Sequence, residues 1–454
     1  MFNLLGEKLA FDRSHTAGAR LARLIVRWPQ IAPEATLQPA GFDPRNPGDP
    51  LYRWEYYDDM VRAAVAAGLE PIASILHAPT WAQSGVPQGS SDGTASPSPS
   101  TLADFATAIA RRYSGGFGDL PRVRYWQVWN EPNLSSYLTP QSVNGKPSSP
   151  ELYRAMVNAM ARAVRGVRRD NVVIAGGLAP FGGNSNDPSG GRVPDHERIR
   201  PLQFMRQMLC MSGGAKPKAT CAAKTEFDVW AHHPYTYGGP THHAFHPDDV
   251  SLGDLGEMRS LLLAATRAGH IMPRGEPQFW VTEFSYDSKP ADPKGLPPGL
   301  HARWVSEALY RMWANGVSLV TWLMIRDDPF PDSMLQAGLY LRSPTGIASD
   351  RPKPALRAFR FPFVAFSRPG GKISYWGRTP AGVKTSVVVE QKAGKWRRVA
   401  IPVVDRYGIF SGRIGTARGA GSLRARLVNG KDFSQPFSLK VVKDFRFCPW
   451  GSFC

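Results

Sequence analysis

The sequence predicts an α/β chain: a (β/α)8 barrel followed by a small antiparallel β-sandwich. Three observations carry that prediction. Apolar strands alternate with amphipathic helices from about residue 20 to 366, the pattern of a parallel sheet with crossover helices. After Phe366 the alternation stops, and short strand-like runs separated by turn residues take over. The length of 454 residues suits a barrel with one accessory module.

Seven barrel strands are read in order: Arg23–Trp28, Glu70–His77, Val123–Asn130, Val172–Leu178, Phe227–Tyr235, Gln278–Phe284 and Ser318–Ile325. Each is a near-continuous apolar run, because a parallel barrel strand is buried on both faces. Between them, Trp54–Ala67, Leu102–Arg112, Glu151–Arg168, Gly256–Ala268 and Leu300–Asn315 repeat Ala and Leu every three or four residues, which gives each helix one buried face. A closed barrel needs eight strands, and the missing one is the first. Phe2–Ala19 reads as a loop and helix leading into Arg23, so strand one and any export signal are expected upstream of Met1.

Past the barrel, Val387-Val388-Val389, Trp396–Val404, Gly408–Ile414, Ser422–Val428 and Phe437–Val442 read as strands of an immunoglobulin-like sandwich. Ala393-Gly394 and Asn429-Gly430 are the turns between neighbours. The expected division is a barrel over residues 1–366 and a sandwich over 367–454. Residues 88–100 and 181–195 are low-complexity loops that follow barrel strands. They would decorate the C-terminal face, where barrels of this kind carry their chemistry.

The formal charge of +18 is uneven, with 17 Lys and Arg against four Asp and Glu from Ser367 onward. Such a field attracts anionic polymers, an acidic cell-wall polymer among them; a solvated Arg-rich surface is the plainer reading. No nucleic-acid motif accompanies the basic residues, so no nucleic-acid partner is expected. No run of 18 apolar residues is present, so no membrane-spanning helix is expected. The start lacks the basic and apolar pattern of a signal peptide. The four cysteines form two close pairs in loop-like stretches, Cys210 with Cys221 and Cys448 with Cys454. Neither pair has CxxC spacing, so two local disulfides are expected and, with them, a secreted or cell-surface setting; four unrelated thiols are the alternative.

Two glutamates carry the chemistry. Glu131 ends the strand Tyr125-Trp126-Gln127-Val128-Trp129-Asn130, and Glu283 ends Gln278-Phe279-Trp280-Val281-Thr282. A carboxylate at the end of a buried apolar strand is costly without a partner or a task. Counting the missing strand as the first, these are strands four and seven, on opposite sides of the barrel mouth.

Trp129-Asn130-Glu131-Pro132-Asn133 resembles the acid/base motif of glycoside hydrolase clan A, and Trp280-Val281-Thr282-Glu283 resembles the clan's nucleophile strand. The resemblance spans the whole barrel and is shared between the cellulase-like family 5 and the β-xylosidase-like family 39. It implies a carbohydrate substrate and retaining hydrolysis with Glu283 as nucleophile and Glu131 as acid/base; no cofactor and no metal are expected. It further implies that Arg27 holds the nucleophile ionised, that His77 lies at the sugar-binding floor and that Asn130 binds the sugar 2-hydroxyl. His233 and Tyr235 match the clan's His-x-Tyr, whose tyrosine hydrogen-bonds the nucleophile, and Trp322 matches its tryptophan platform. His233 is preferred to His232 because it shares a strand face with Tyr235. For His77 and Trp322 plain core packing stays open. Thr241-His242-His243-Ala244-Phe245-His246, with Asp248 and Asp249, is the one metal-like tract, and it reads as a substrate-side or solvated loop. Two rival activities share the constellation: a carbohydrate-binding protein without catalysis, and a transglycosylase.

Overall fold

The computed structural model describes residues 4–84, 93–183, 198–333, 335–380, 385–415, 421–428, 430 and 432–442. Seven parallel strands form one sheet in chain order: β1 (Leu21–Arg27), β2 (Glu70–Leu76), β3 (Tyr125–Val128), β4 (Val172–Leu178), β5 (Val229–His232), β6 (Gln278–Phe284) and β7 (Val317–Trp322). Because each strand pairs with the next in sequence, the sheet winds in one direction as a (β/α) barrel does. The end strands β1 and β7 come within 8 Å of each other at Cα but do not pair.

Among the described residues the longer helices are α1 (Leu4–Thr16), α2 (Glu55–Ala66), α3 (Pro99–Arg112), α4 (Ser149–Val167), α5 (Pro201–Met208), α6 (Leu255–Arg267), α7 (Pro298–Ala314) and α8 (Pro354–Arg360), with a single helical turn at Trp28–Ile31. One helix, α2 to α7 in turn, connects each strand to the next. Their starts follow local chemistry. Proline opens α3 where no backbone donor is needed, and Ser98 caps it by accepting from the Thr101 N–H. Tyr153, Met156, Val157, Met160, Ala161 and Val164 place one face of α4 in the core. The Tyr153 hydroxyl reaches past that face to the barrel, donating to the Val128 carbonyl at 2.6 Å and accepting from the Gly176 N–H at 3.0 Å. Inside the sheet, Ile72, Ile174, Val229, Ala231 and Trp280 pack as one buried cluster that plugs the floor.

Among the described residues the sandwich has seven strands: β8 (Phe363–Ser367), β9 (Ile373–Arg378), β10 (Val387–Ala393), β11 (Lys395–Ala400), β12 (Ile409–Ile414), β13 (Ser422–Leu427) and β14 (Phe437–Ser438). They form two antiparallel sheets, β8-β9-β12 and β11-β10-β13-β14, around Phe363, Ile373, Val387, Val389, Phe410, Leu423 and Phe437. No strand was expected at β8 or β9, which Pro369-Gly370-Gly371 helps to connect. Strand β8 straddles the expected boundary at residue 366. Helix α7 docks on this module: Arg303 donates to the Ser438 carbonyl at 2.7 Å and lies 3.9 Å over the Phe437 ring.

The Cys210–Cys221 disulfide closes the loop after α5 with the two Cα atoms 5.2 Å apart. The expected Cys448–Cys454 pair lies outside the described residues. Among the described residues no helix is long and apolar enough to cross a membrane.

Candidate active site

The C-terminal ends of β2, β3, β5 and β6 converge on two carboxyl groups. Three residues there, His77, Trp129 and Glu131, have positive φ, at 61°, 65° and 40°. Such conformations cost side chains other than glycine of order 1 kcal/mol or more each, and they persist only where the surroundings hold them. The surroundings here are hydrogen bonds: Trp129 N–H donates to the Ile75 carbonyl at 2.8 Å and Glu131 N–H to the Gly177 carbonyl at 2.9 Å. Gly177 itself has φ 61°, and a Cβ there would stand 2.7 Å from Gln127 Nε2 and 3.5 Å from His233 Nε2, so glycine leaves the room that the inner side chains occupy.

Glu131 and Glu283 face each other, with a carboxylate oxygen of each and a ring nitrogen of His233 all within 4.8 Å of one another. Their side chains are 13% and 20% exposed, enclosed yet open to the mouth. Their surroundings differ. Burial raises the Glu131 carboxyl above its ordinary range, against the opposing hydrogen bond and field of His233. For Glu283 burial pulls the same way, but His233, the Arg23 guanidinium and the Tyr235 hydroxyl outweigh it and hold the group below its ordinary range. One group therefore favours the protonated form and its neighbour the ionised form, the split that acid/base and nucleophile roles require.

The expected residues are placed as follows. His233 Nδ1 lies 2.9 Å from Glu131 Oε1, and its Nε2 lies 3.1 Å from Thr282 Oγ1. His232 points to the other side of the strand, against the Val250 carbonyl at 2.8 Å, where burial pushes it down to about 3. Tyr235 donates to Glu283 Oε1 at 3.0 Å. Asn130 is buried beside the pair, and its Oδ1 accepts from Arg23 Nη2 at 2.6 Å. Trp322 is half-buried, edge-on to Phe284 with ring centres 6.1 Å apart, and its Nε1 donates to the Ala337 carbonyl.

Arg27 requires a correction. The guanidinium at the carboxylate is that of Arg23, whose Nη1 donates to Glu283 Oε2 at 2.9 Å; its Nε reaches Gln127 Oε1 at 3.1 Å and its Nη2 also reaches Ser74 Oγ at 3.2 Å. Arg27 sits exposed at the rim, its Nη1 3.3 Å from His77 Nδ1. Both arginines share one face of β1, since an even spacing returns a strand to the same side. Depth separates them: Arg23 pairs in register with Ile72 on the floor, and Arg27 with Leu76 at the strand end. A long side chain rising from below reaches the carboxylate.

Tyr137 also escaped the sequence reading. Its ring stacks on His77 with centres 6.3 Å apart, its hydroxyl bonds Asn130, and its carbonyl accepts from Trp129 Nε1 at 2.7 Å. Burial, with the two glutamates nearby, pushes its hydroxyl up to about 12. It lies in the loop after Glu131, where no spacing in the sequence marks it.

A metal has two places to be considered among the described residues. Glu131, His233 and Glu283 come close enough to share an ion, yet both nitrogens of His233 already have hydrogen-bond partners and Glu283 is held by Arg23 and Tyr235. In the tract after β5, His243 bonds Asp254 at 2.7 Å, Asp248 pairs with Arg206 and Asp249 with Arg200. Asp248 and Asp249 serve as partners for arginines and Asp254 accepts from His243, Ala244 and Ser251, so the tract is not an open ligand set.

No protein-family model matches the chain, and no curated protein matches it. Solved structures do. A family 39 glycoside hydrolase from the gut symbiont Bacteroides cellulosilyticus aligns over 93% of this chain and 78% of its own at 16% identity, with a TM-score of 0.53. A family 39 β-xylosidase from Caulobacter crescentus aligns over 86% and 79% at 16% identity and 0.49, and a glucosidase from Croceicoccus marinus over 92% and 89% at 14% and 0.48. The first of these likenesses shows the fold: the chain has the barrel architecture of a family 39 glycoside hydrolase.

Proposed function

We propose that the chain is a retaining glycoside hydrolase of the clan A type, acting on oligo- or polysaccharides, with Glu283 as nucleophile and Glu131 as acid/base. The observation that carries this reading is the carboxylate spacing. Oxygens of the two glutamates lie within 4.8 Å. Direct displacement through a covalent intermediate uses carboxyls about 5–5.5 Å apart, while an inverting pair stands about 6.5–9.5 Å apart to admit a water.

The residues then divide the work. Arg23 and Tyr235 keep Glu283 ionised and aimed, so that it attacks the anomeric carbon as Glu131 delivers its proton to the leaving oxygen. The resulting glycosyl-enzyme removes the negative charge from Glu283. Glu131, now ionised, takes a proton from a water whose oxygen bonds to the anomeric carbon as the bond to Glu283 breaks, which releases the sugar with its starting configuration and returns Glu283 to its ionised form. His233 keeps the Glu131 carboxyl oriented through both halves. Asn130, fixed by Arg23 and Tyr137, is placed to hold a sugar hydroxyl. In this reading the barrel does the chemistry, the basic module over residues 367–454 holds the protein to an anionic polymer, and the Cys210–Cys221 disulfide suits a secreted protein.

Turnover of aryl glycosides of xylose, arabinose, glucose, galactose and mannose, with NMR of the first anomer released, tests the reading. Retention is expected for the substrate that turns over, and Glu283→Gln is expected to abolish turnover. An inverted product, or a Glu283→Gln protein as active as the parent, overturns it.

A further inference from the structure

Helix α7 ends in two aromatic residues that the barrel does not bury: Tyr310 is half-buried and Trp313 is 40% exposed. Both lie against the sheet β8-β9-β12. Register places Phe366, Ser374 and Arg413 in one row across that sheet, and Val364, Trp376 and Ser411 in the next. Trp376 meets Trp313 with ring centres 5.4 Å apart and Tyr310 at 5.6 Å, and Tyr310 meets Phe366 at 5.4 Å. The rings line a cleft of about 280 Å³ together with Ser374, Ser411, Arg368 and Arg413.

Packing between the two modules accounts for the buried rings but not for the exposed indole or for the cations that share its cleft. Arg368 donates to Ser374 Oγ at 2.8 Å through Nε. Neither Arg368 nor Arg413 has an acidic partner among the described residues, and both are exposed. The module's acids among the described residues are committed elsewhere: Glu390 to Arg424 and Arg426, Asp432 to Arg360, and Asp405 to the N–H groups of Tyr407 and Ile409. An aromatic face suits the C–H face of a sugar ring, hydroxyls suit its hydroxyls, and a planar guanidinium suits a carboxylate. A volume just under the usual range for small-ligand sites admits one or two sugar units.

We propose that this cleft is a second glycan-binding site, distinct from the Glu131/Glu283 site, that takes an acidic polysaccharide with one ring on Trp313 and carboxylates on Arg368 and Arg413. It extends the glycosidase reading, since a polymer held here keeps its glycosidic bonds near the barrel. The test is affinity electrophoresis of the full chain through native gels containing polygalacturonate or dextran. Polygalacturonate is expected to retard the protein and dextran is not. Trp313→Ala, and separately the pair Arg368→Gln with Arg413→Gln, should each weaken the apparent affinity about tenfold or more, with aryl-glycoside turnover unchanged and a cooperative melt retained. Arg397→Gln with Arg398→Gln removes the same charge from β11, outside the cleft, and should leave most of the retardation. Equal retardation of all variants, equal loss from both arginine pairs, or stronger retardation by dextran overturns the site. Failure of the glycosidase reading shows separately, as Glu283→Gln that turns over normally.

Discussion

Replacing Arg23 with Met removes the guanidinium 2.9 Å from Glu283 Oε2 and leaves that carboxylate, among the described residues, its bond from Tyr235. The arginine side chain is 7% exposed and the glutamate 20%, so water replaces little of what is lost. Breaking a largely buried ion pair costs about 3–5 kcal/mol, and the lower figure applies because a fifth of the carboxylate meets solvent. At about 1.4 kcal/mol per factor of ten, a 3 kcal/mol loss in the reacting state lowers kcat/KM about 10²-fold. The direction in pH is also fixed. The reaction needs Glu283 ionised, and the cation helps to hold its carboxyl below the ordinary range. Without the cation that carboxyl titrates higher, so the acid limb of the kcat/KM profile moves to higher pH. Steady-state rates on an aryl glycoside across the pH range, for Arg23→Met and Arg27→Met side by side, check both points. An Arg23→Met enzyme with the parent's rate and acid limb, or an Arg27→Met enzyme whose acid limb moves instead, refutes the reasoning.

Other predictions follow from the same contacts. His233 lowers both glutamates, so His233→Ala should shift both limbs of the kcat/KM profile to higher pH, read from the same rate series. Burial first, and then Asp292, raises the Asp287 carboxyl from 3.8 to about 8. The folded chain thus binds this proton more tightly than the unfolded chain, and the associated stability is lost as pH rises across that interval. Asp287→Asn cannot titrate and should melt progressively higher relative to the parent between pH 4 and pH 8; a constant difference would contradict the assignment. Removing the Cys210–Cys221 crosslink, which spans 11 residues, as the paired Cys→Ser variant should lower the unfolding free energy by about 3 kcal/mol in urea titrations.

The barrel was legible because its strands are continuous apolar runs, and Val172–Leu178 and Gln278–Phe284 matched residue for residue. Short elements left weaker traces: α5 and α8, of eight and seven residues, begin at prolines that read as loop. The two glutamates stood out because each ends such a run. Choosing between Arg23 and Arg27 was beyond the sequence, since strand periodicity reports which face a residue occupies and not how far above the floor its guanidinium ends. Tyr137 was illegible for a related reason. Its place beside Asn130 comes from the path of the loop after Glu131, which depends on contacts made by residues far apart in the chain.

The Tyr153 hydroxyl, tied at once to the Val128 carbonyl and the Gly176 N–H, means that the spacing of two strands at the barrel rim is governed by a residue of the outer helical layer. Glu131 is three residues beyond the first of those anchor points, and the carbonyl that receives its N–H is one residue beyond the second. Loosening α4 by heat, denaturant or a cavity behind Met156 would therefore be felt at the acid/base before the chain unfolds, so activity should fade ahead of global structure as the protein is stressed.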